Sequence, residues 1–209
     1  MGKDKLNNAP DSSFFVPEKS ASYEEKIKRS IFIANLEPCN DEDSARNFLA
    51  RIISQHRDAT HNCRAYIIDG IEYSSDDGEP SGTAGKPILN AIKKSGLVNV
   101  MVVVTRYFGG VKLGTRGLID AYGGVAEKAL ELCGRTQKIL TSPIEISLEY
   151  NSMGTVTKIL ESYGALNLSW EYGAAVNVRA EIPVDTLENI SRDLAELQAR
   201  KIIKSWDKY

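Results

Sequence analysis

The hydrophobic pattern changes its period several times along the chain, and each change marks an element. Ser30 to Leu36 sets Phe32 and Ala34 against Ile31 and Ile33, a two-residue repeat that predicts a strand. From Asp41 to His56 the apolar positions are Ala45, Phe48, Leu49, Ile52 and Ile53. They share one helical face, with Asn40 or Asp41 as the cap. Asn62 to Asp69 predicts a strand that turns at Asp69-Gly70 and returns through Ile71 to Ser74. Pro87 suits the first turn of a helix running to about Lys94, with Gly96 beyond it. The valine-rich run from Val98 to Thr105 predicts a central strand covered on both faces. A helix with Leu118, Tyr122, Val125 and Ala129 on one face then ends at Cys133 before Gly134.

Beyond a boundary around Arg135 to Ser142 the pattern reads β-α-β-β-α-β, the ferredoxin-like order. Ile144, Ile146, Leu148 and Tyr150 alternate with polar residues, and so do Leu166, Leu168, Trp170 and Tyr172, and Val176, Val178 and Ala180. Helices are predicted over Met153 to Tyr163 and Asp185 to Gln198, with Lys201 to Trp206 closing the sheet. Both helices must cover the one apolar face. The alternation puts Tyr150, Trp170 and Tyr172 on that covered face. The open face is then Glu145, Glu149, Glu171 and Glu181 against Arg179. An acidic face without stacking rings is a poor RNA platform, so a solvated face or a protein partner is expected there. The whole reads as an α+β chain of two domains. Residues 1 to 20, with Asn-Asn, Pro10 and Pro17, form a loose tail that Phe14, Phe15 and Val16 could dock. The first domain covers 21 to 138 and the second 142 to 209.

Composition alters this picture little. The 209 residues are 42% hydrophobic and 26% charged with a net charge of −2, which excludes a disordered chain and gives no bulk sign of nucleic-acid binding. Three cysteines far apart, Cys39, Cys63 and Cys133, suit reduced thiols in a cytoplasmic protein better than a disulfide framework. The polar N-terminus has no signal-like apolar core, and the most apolar run is too short to span a membrane.

Charge distribution is more informative. From Ser81 to Ile119 there is no Asp or Glu, while Lys86, Lys93, Lys94, Arg106, Lys112 and Arg116 all fall there. Two glycine-rich loops lie in the same stretch, Gly82-Thr83-Ala84-Gly85 and Gly109-Gly110-Val111-Lys112-Leu113-Gly114, each ahead of a helix. Free N–H groups at a helix start attract anions, and glycine lets the backbone approach a phosphate. Turn formation and close helix packing would use the same glycines. Neither loop matches the nucleotide-binding patterns, so no cofactor is indicated. Arg106-Tyr107-Phe108 follows the buried strand. Arg106 could grip a phosphate or carboxylate and the rings could stack on bases. Equally, Arg106 could pair with Asp76 or Asp77 and the rings could sit in the core. His61 and Cys63, with Asp76, Asp77 and Glu79, suggest a nucleophile and base, or ligands for a metal. Plain turn-making and a buried thiol are the simpler expectation there.

The motifs Asp58-Ala-Thr-His61-Asn-Cys63, Ser74-Ser-Asp-Asp-Gly78-Glu-Pro-Ser-Gly82-Thr-Ala-Gly85, Val102-Val-Val-Thr-Arg106-Tyr-Phe-Gly109-Gly and Lys112-Leu-Gly114 resemble the IMPACT family in its bacterial YigZ-type form. The resemblance covers roughly residues 20 to 135. It implies a first domain like the second domain of ribosomal protein S5 and a second like the ferredoxin-like domain of translocating elongation factors. It also implies a link to translation, since eukaryotic relatives regulate it under amino-acid starvation. It carries over no catalytic mechanism. One departure is Thr115-Arg116-Gly117-Leu-Ile-Asp120, where the family commonly has small residues and then a basic residue early in the helix. The expectation is a non-enzymatic module that binds RNA, the ribosome or a translation factor. Its surface would comprise Gly82, Thr83, Gly85, Lys86, Arg106, Tyr107, Gly109, Gly110, Lys112, Gly114 and Arg116. The alternative is a small-molecule hydrolase using His61, Cys63, Asp76, Asp77 and Glu79.

Overall fold

A computed structural model describes residues 12–208. The described chain divides into two compact units, Phe14–Gln137 and one built on the segment from Lys138 onward. A strand falls within residues 1–20, the segment expected as a loose tail. Residues 1–11 lie outside the described ones, but Ser13–Val16 form a strand (β1) that pairs with Thr136–Ile139 (β7) in a small two-stranded sheet. Phe15 supplies the anchor. Its carbonyl accepts the Val98 N–H, and the Arg135 guanidinium lies 3.8 Å from its ring centroid.

The first unit is a five-stranded antiparallel sheet in the order β2-β3-β6-β4-β5. The strands are Ala21–Ile27 (β2), Ser30–Pro38 (β3), His61–Ile68 (β4), Ile71–Ser75 (β5) and Val100–Tyr107 (β6). The helix Glu42–Gln55 (α1) packs on one face, where Phe48 and Ile52 meet Met101 and Val103. Asp41 caps it by accepting the Ser44 N–H at 2.7 Å, and Ser44 answers the Asp41 N–H in a capping box. Helices Gly85–Ser95 (α2) and Gly114–Leu132 (α3) cover the other face, where Ile88, Ile92, Tyr122, Val125 and Ala126 meet Phe32, Ala34, Val102 and Val104. β6 is therefore buried on both sides, as its valine-rich run predicts. β2 was not foreseen. Its three consecutive charged residues, Glu24, Glu25 and Lys26, mask the alternation, yet they suit an edge strand that must resist pairing with other chains.

The second unit has strands Thr141–Leu148 (β8), Leu166–Tyr172 (β9), Val176–Pro183 (β10) and Ile203–Lys208 (β11), ordered β11-β8-β10-β9. With helices Met153–Ser162 (α4) and Leu187–Ala199 (α5) this is the ferredoxin-like arrangement that the alternation predicts. One core forms from Ile144, Ile146, Leu148, Val156, Leu160, Val178, Ile190 and Leu194. Two of the aromatics depart from expectation. Trp170 packs against this core, but Tyr150 and Tyr172 are exposed and stack on each other, with centroids 6.5 Å apart. Tyr150 sits in a short 3-10 turn after β8 rather than on the strand, and its hydroxyl donates to the Gly173 carbonyl. On the open face Arg179 bridges Glu145 and Glu171. Among the described residues, no helix is long and apolar enough to cross a membrane.

Candidate functional site

The family-like motifs converge at the end of the first sheet where β6 leaves it. Register places Arg106 directly between Phe32 on β3 and His61 on β4. The Arg106 side chain is only 6% exposed. Its Nη1 donates to Glu79 Oε1 at 2.5 Å and its Nη2 to Ser30 Oγ at 3.3 Å, while its Nε has no partner among the described residues. The Tyr122 hydroxyl, from α3, donates to the same Glu79 oxygen at 2.7 Å. His61 Nδ1 lies 2.8 Å from the Asp77 carbonyl, which can only accept, so that nitrogen carries the proton. Its Nε2 then faces Glu79 at 3.9 Å. Two charges taken out of water are tolerated here because each is neutralised by the other and further bonded. Arg106 is thus not a surface ligand. Its partner is Glu79 rather than Asp76 or Asp77, and its guanidinium carbon lies 5.3 Å from the ring centroids of both Phe32 and Phe108.

The first glycine loop does bind an anion, but one that the chain supplies itself. The Asp76 carboxylate accepts the N–H groups of Gly82, Ala84 and Gly85 at 2.8 to 2.9 Å. Burial opposes its ionisation, but those three donors prevail and hold its carboxyl below the ordinary value. α2 has no side-chain cap at Ala84, and Asp76 fills that role from nine residues before its first residue. Gly85 is needed for close approach to the protein's own backbone. A Cβ there would lie 2.7 Å from the Ser75 nitrogen. Thr83 is buried with its hydroxyl on the Pro80 carbonyl, whereas Lys86, the second residue of α2, is exposed.

Asp77 is likewise occupied, accepting the Asn62 N–H at 2.7 Å and Arg64 Nη1 at 3.2 Å. Cys63 is fully buried and its thiol donates to the Asp76 carbonyl. Burial first, and then the nearby Glu79, Asp77 and Asp76 charges, push that thiol up to about 12 against the pull of Tyr122. The structure therefore does bring His61 and Cys63 to the Asp76–Glu79 loop, but it keeps the sulfur protonated. Among the described residues no group of three or more His, Cys, Asp or Glu is placed to hold a metal ion.

The second glycine loop is different. Gly109 packs so tightly on the β2–β3 turn that a Cβ would lie 2.0 Å from the Arg29 carbonyl oxygen, and its N–H donates to Ser30 Oγ. Both residues of that turn, Lys28 and Arg29, have positive φ, as a two-residue hairpin requires. Their side chains are exposed, and Lys28 lines a cleft with Leu113 and Gly117. Gly110, Lys112, Gly114 and Arg116 are exposed beside them. Tyr107 is half-buried with its hydroxyl 2.9 Å from His56 Nδ1, whereas Phe108 is 46% exposed. Lys28, Arg29 and Lys112 make no ion pair among the described residues, and Arg116 pairs only with Asp120 one turn on. Lys28 and Arg29 were missed by sequence reasoning. The signal that would have found them is the pair of polar residues between Ile27 and Ser30, once β2 is read as a strand.

A protein of Haemophilus influenzae described as an IMPACT family member is 34% identical over 197 residues, spanning 92% of this chain and 96% of that one. The chain belongs to the IMPACT family. The family's N-terminal domain matches residues 28–130, which hold every motif of the converging centre. YvyE of Bacillus subtilis is 37% identical, covering 88% of this chain and 87% of its own length. YigZ of Escherichia coli is 33% identical, covering 88% and 93%. A solved structure described only as a hypothetical protein matches with a TM-score of 0.66 at 31% identity, covering 94% of this chain and 96% of its own. In each of these comparisons the match of this IMPACT family chain spans most of both chains.

Proposed function

We propose that this protein is a non-enzymatic module that binds RNA, free or within the ribosome, and acts in translation. The link to translation rests on the family resemblance. The contact surface rests on one observation: Lys28, Arg29 and Lys112 are exposed without ion-pair partners among the described residues, next to Arg116, over a centre whose own charges are internally neutralised. Unpaired cations on a rim can neutralise phosphates and so release the counter-ions condensed on the nucleic acid, whereas buried pairs cannot. Lys86 adds a cation at the head of α2.

The test is RNA affinity across a salt series. Four phosphates contacted by Lys28, Arg29, Lys112 and Arg116 correspond to a log–log slope of about −3 to −4. A translation factor as the true partner would leave RNA unbound even at low salt, and that result overturns the RNA reading. The alternative of a hydrolase has its residues in one place, but Cys63 is held as a thiol and both aspartates are occupied. The arrangement stabilises a loop more directly than it supplies a nucleophile.

A further inference from the structure

We infer that Phe108 is a base-stacking platform that makes the basic rim select single-stranded over double-stranded RNA. This rests on the RNA reading above and adds the form of RNA that the surface recognises.

Phe108 is the largest apolar side chain on the rim, and it leaves 46% of its surface exposed although the chain has a core within reach. An exposed ring is ordinarily mobile, but here a guanidinium lies against the ring and the backbone beside it is anchored at two points. The Arg106 guanidinium lies 5.3 Å from its centroid, and that guanidinium is itself fixed by Glu79 and Ser30. The Phe108 N–H is tied to Thr60 Oγ1 at 3.0 Å. The next residue, Gly109, is locked against Arg29. A ring presented at a fixed angle loses little freedom on stacking, so more of the stacking energy survives as affinity. The cation beneath the ring is spent on Glu79 and does not compete for phosphate.

Chemistry then favours one class of ligand. Gly109, next in the chain after Phe108, abuts Arg29, and the exposed Lys28, Arg29 and Lys112 on that turn and loop suit a sugar–phosphate strand. A flat aromatic face suits an unpaired base. Bases in a duplex are stacked on each other and offer no free face, so only the phosphate contacts would remain. The acids that share the Lys28 cleft are Asp120, which Arg116 engages, and Glu25. Arg106 serves as a positioning residue for the ring and touches no ligand.

The experiment uses the full chain and a labelled single-stranded RNA of about ten nucleotides, within the usual site size of such surfaces, alongside the same RNA as a duplex. Anisotropy at low salt gives both affinities for the wild type, Phe108→Ala and Phe108→Trp. The expected result is a preference for the single strand, lost by about 5- to 150-fold in Phe108→Ala, the stacking contribution of one base. Phe108→Trp should retain or exceed wild-type binding, and duplex affinity should be unchanged in both variants. If single strand and duplex bind equally and Phe108→Ala is silent, the platform is overturned while RNA binding by the rim stands. If neither RNA binds the wild type, both are overturned.

Discussion

Removing the Asp76 carboxylate should release the head of α2. In Asp76→Ala the N–H groups of Gly82, Ala84 and Gly85 lose their acceptor. Each such bond contributes about 1 kcal/mol net, less than the value for a fully buried charged pair because water can reach this loop. Three of them give a loss of about 3 kcal/mol, with Asp76→Asn intermediate because an amide oxygen still accepts. The effect has a pH signature. The Asp76 carboxyl is held below its ordinary value, so its stabilisation is fully present above the unfolded value of about 3.9 and fades as pH falls through the folded one. Wild type and Asp76→Ala should therefore differ most at neutral pH and converge in acid. Tryptophan fluorescence is unsuited as a readout, because Trp170 and Trp206 both lie in the second unit. Amide exchange along Gly85–Ser95 reads the right element. About 3 kcal/mol corresponds to exchange faster by roughly 150-fold. Unchanged α2 protection, or a difference that does not shrink on acidification, would refute the assignment of Asp76 as the cap.

Other consequences separate the buried centre from the rim. Glu79→Gln leaves the Arg106 charge buried without a counter-charge and should destabilise by about 3 kcal/mol or more. Tyr122→Phe removes one hydrogen bond and should cost about 1 kcal/mol; far-UV denaturant melts order the two. Gly109→Ala places a methyl group against the Arg29 carbonyl. It should lower the melting temperature and weaken RNA binding together, because the hairpin and the glycine loop are forced apart. Burial pushes the Cys39 thiol up to about 11 and the Cys63 thiol up to about 12, so neither should react with iodoacetamide at neutral pH until denaturant is added.

Much of the fold was legible because its elements carry clear periods. β8 to β11 alternate, α1 and α3 keep one apolar face, and the run in β6 has no polar side to show. What failed were elements whose pattern is set by position rather than by burial. β2 lies at an edge, where charge is protective, and Tyr172 lies at the exposed end of β9. In the site, sequence showed which residues belonged together but not which way they faced. Arg106 read equally as a free cation at a strand end or as a partner of Asp76 or Asp77, because its true partner, Glu79, lies 27 residues upstream. The first glycine loop looked like a vacant anion site because nothing local reveals that Asp76 reaches it. The second loop exposes Lys112, and the hairpin that the pattern did not display exposes Lys28 and Arg29.

The central claim is that the rim, not the buried centre, contacts RNA. It is tested most directly by the salt dependence of RNA affinity in the triple variant Lys28→Ala, Arg29→Ala, Lys112→Ala. Three lost phosphate contacts should flatten the log–log slope by about 2 to 3 while the fold, read by far-UV dichroism, is retained. A slope unchanged from wild type would place the RNA elsewhere on the molecule and contradict the account.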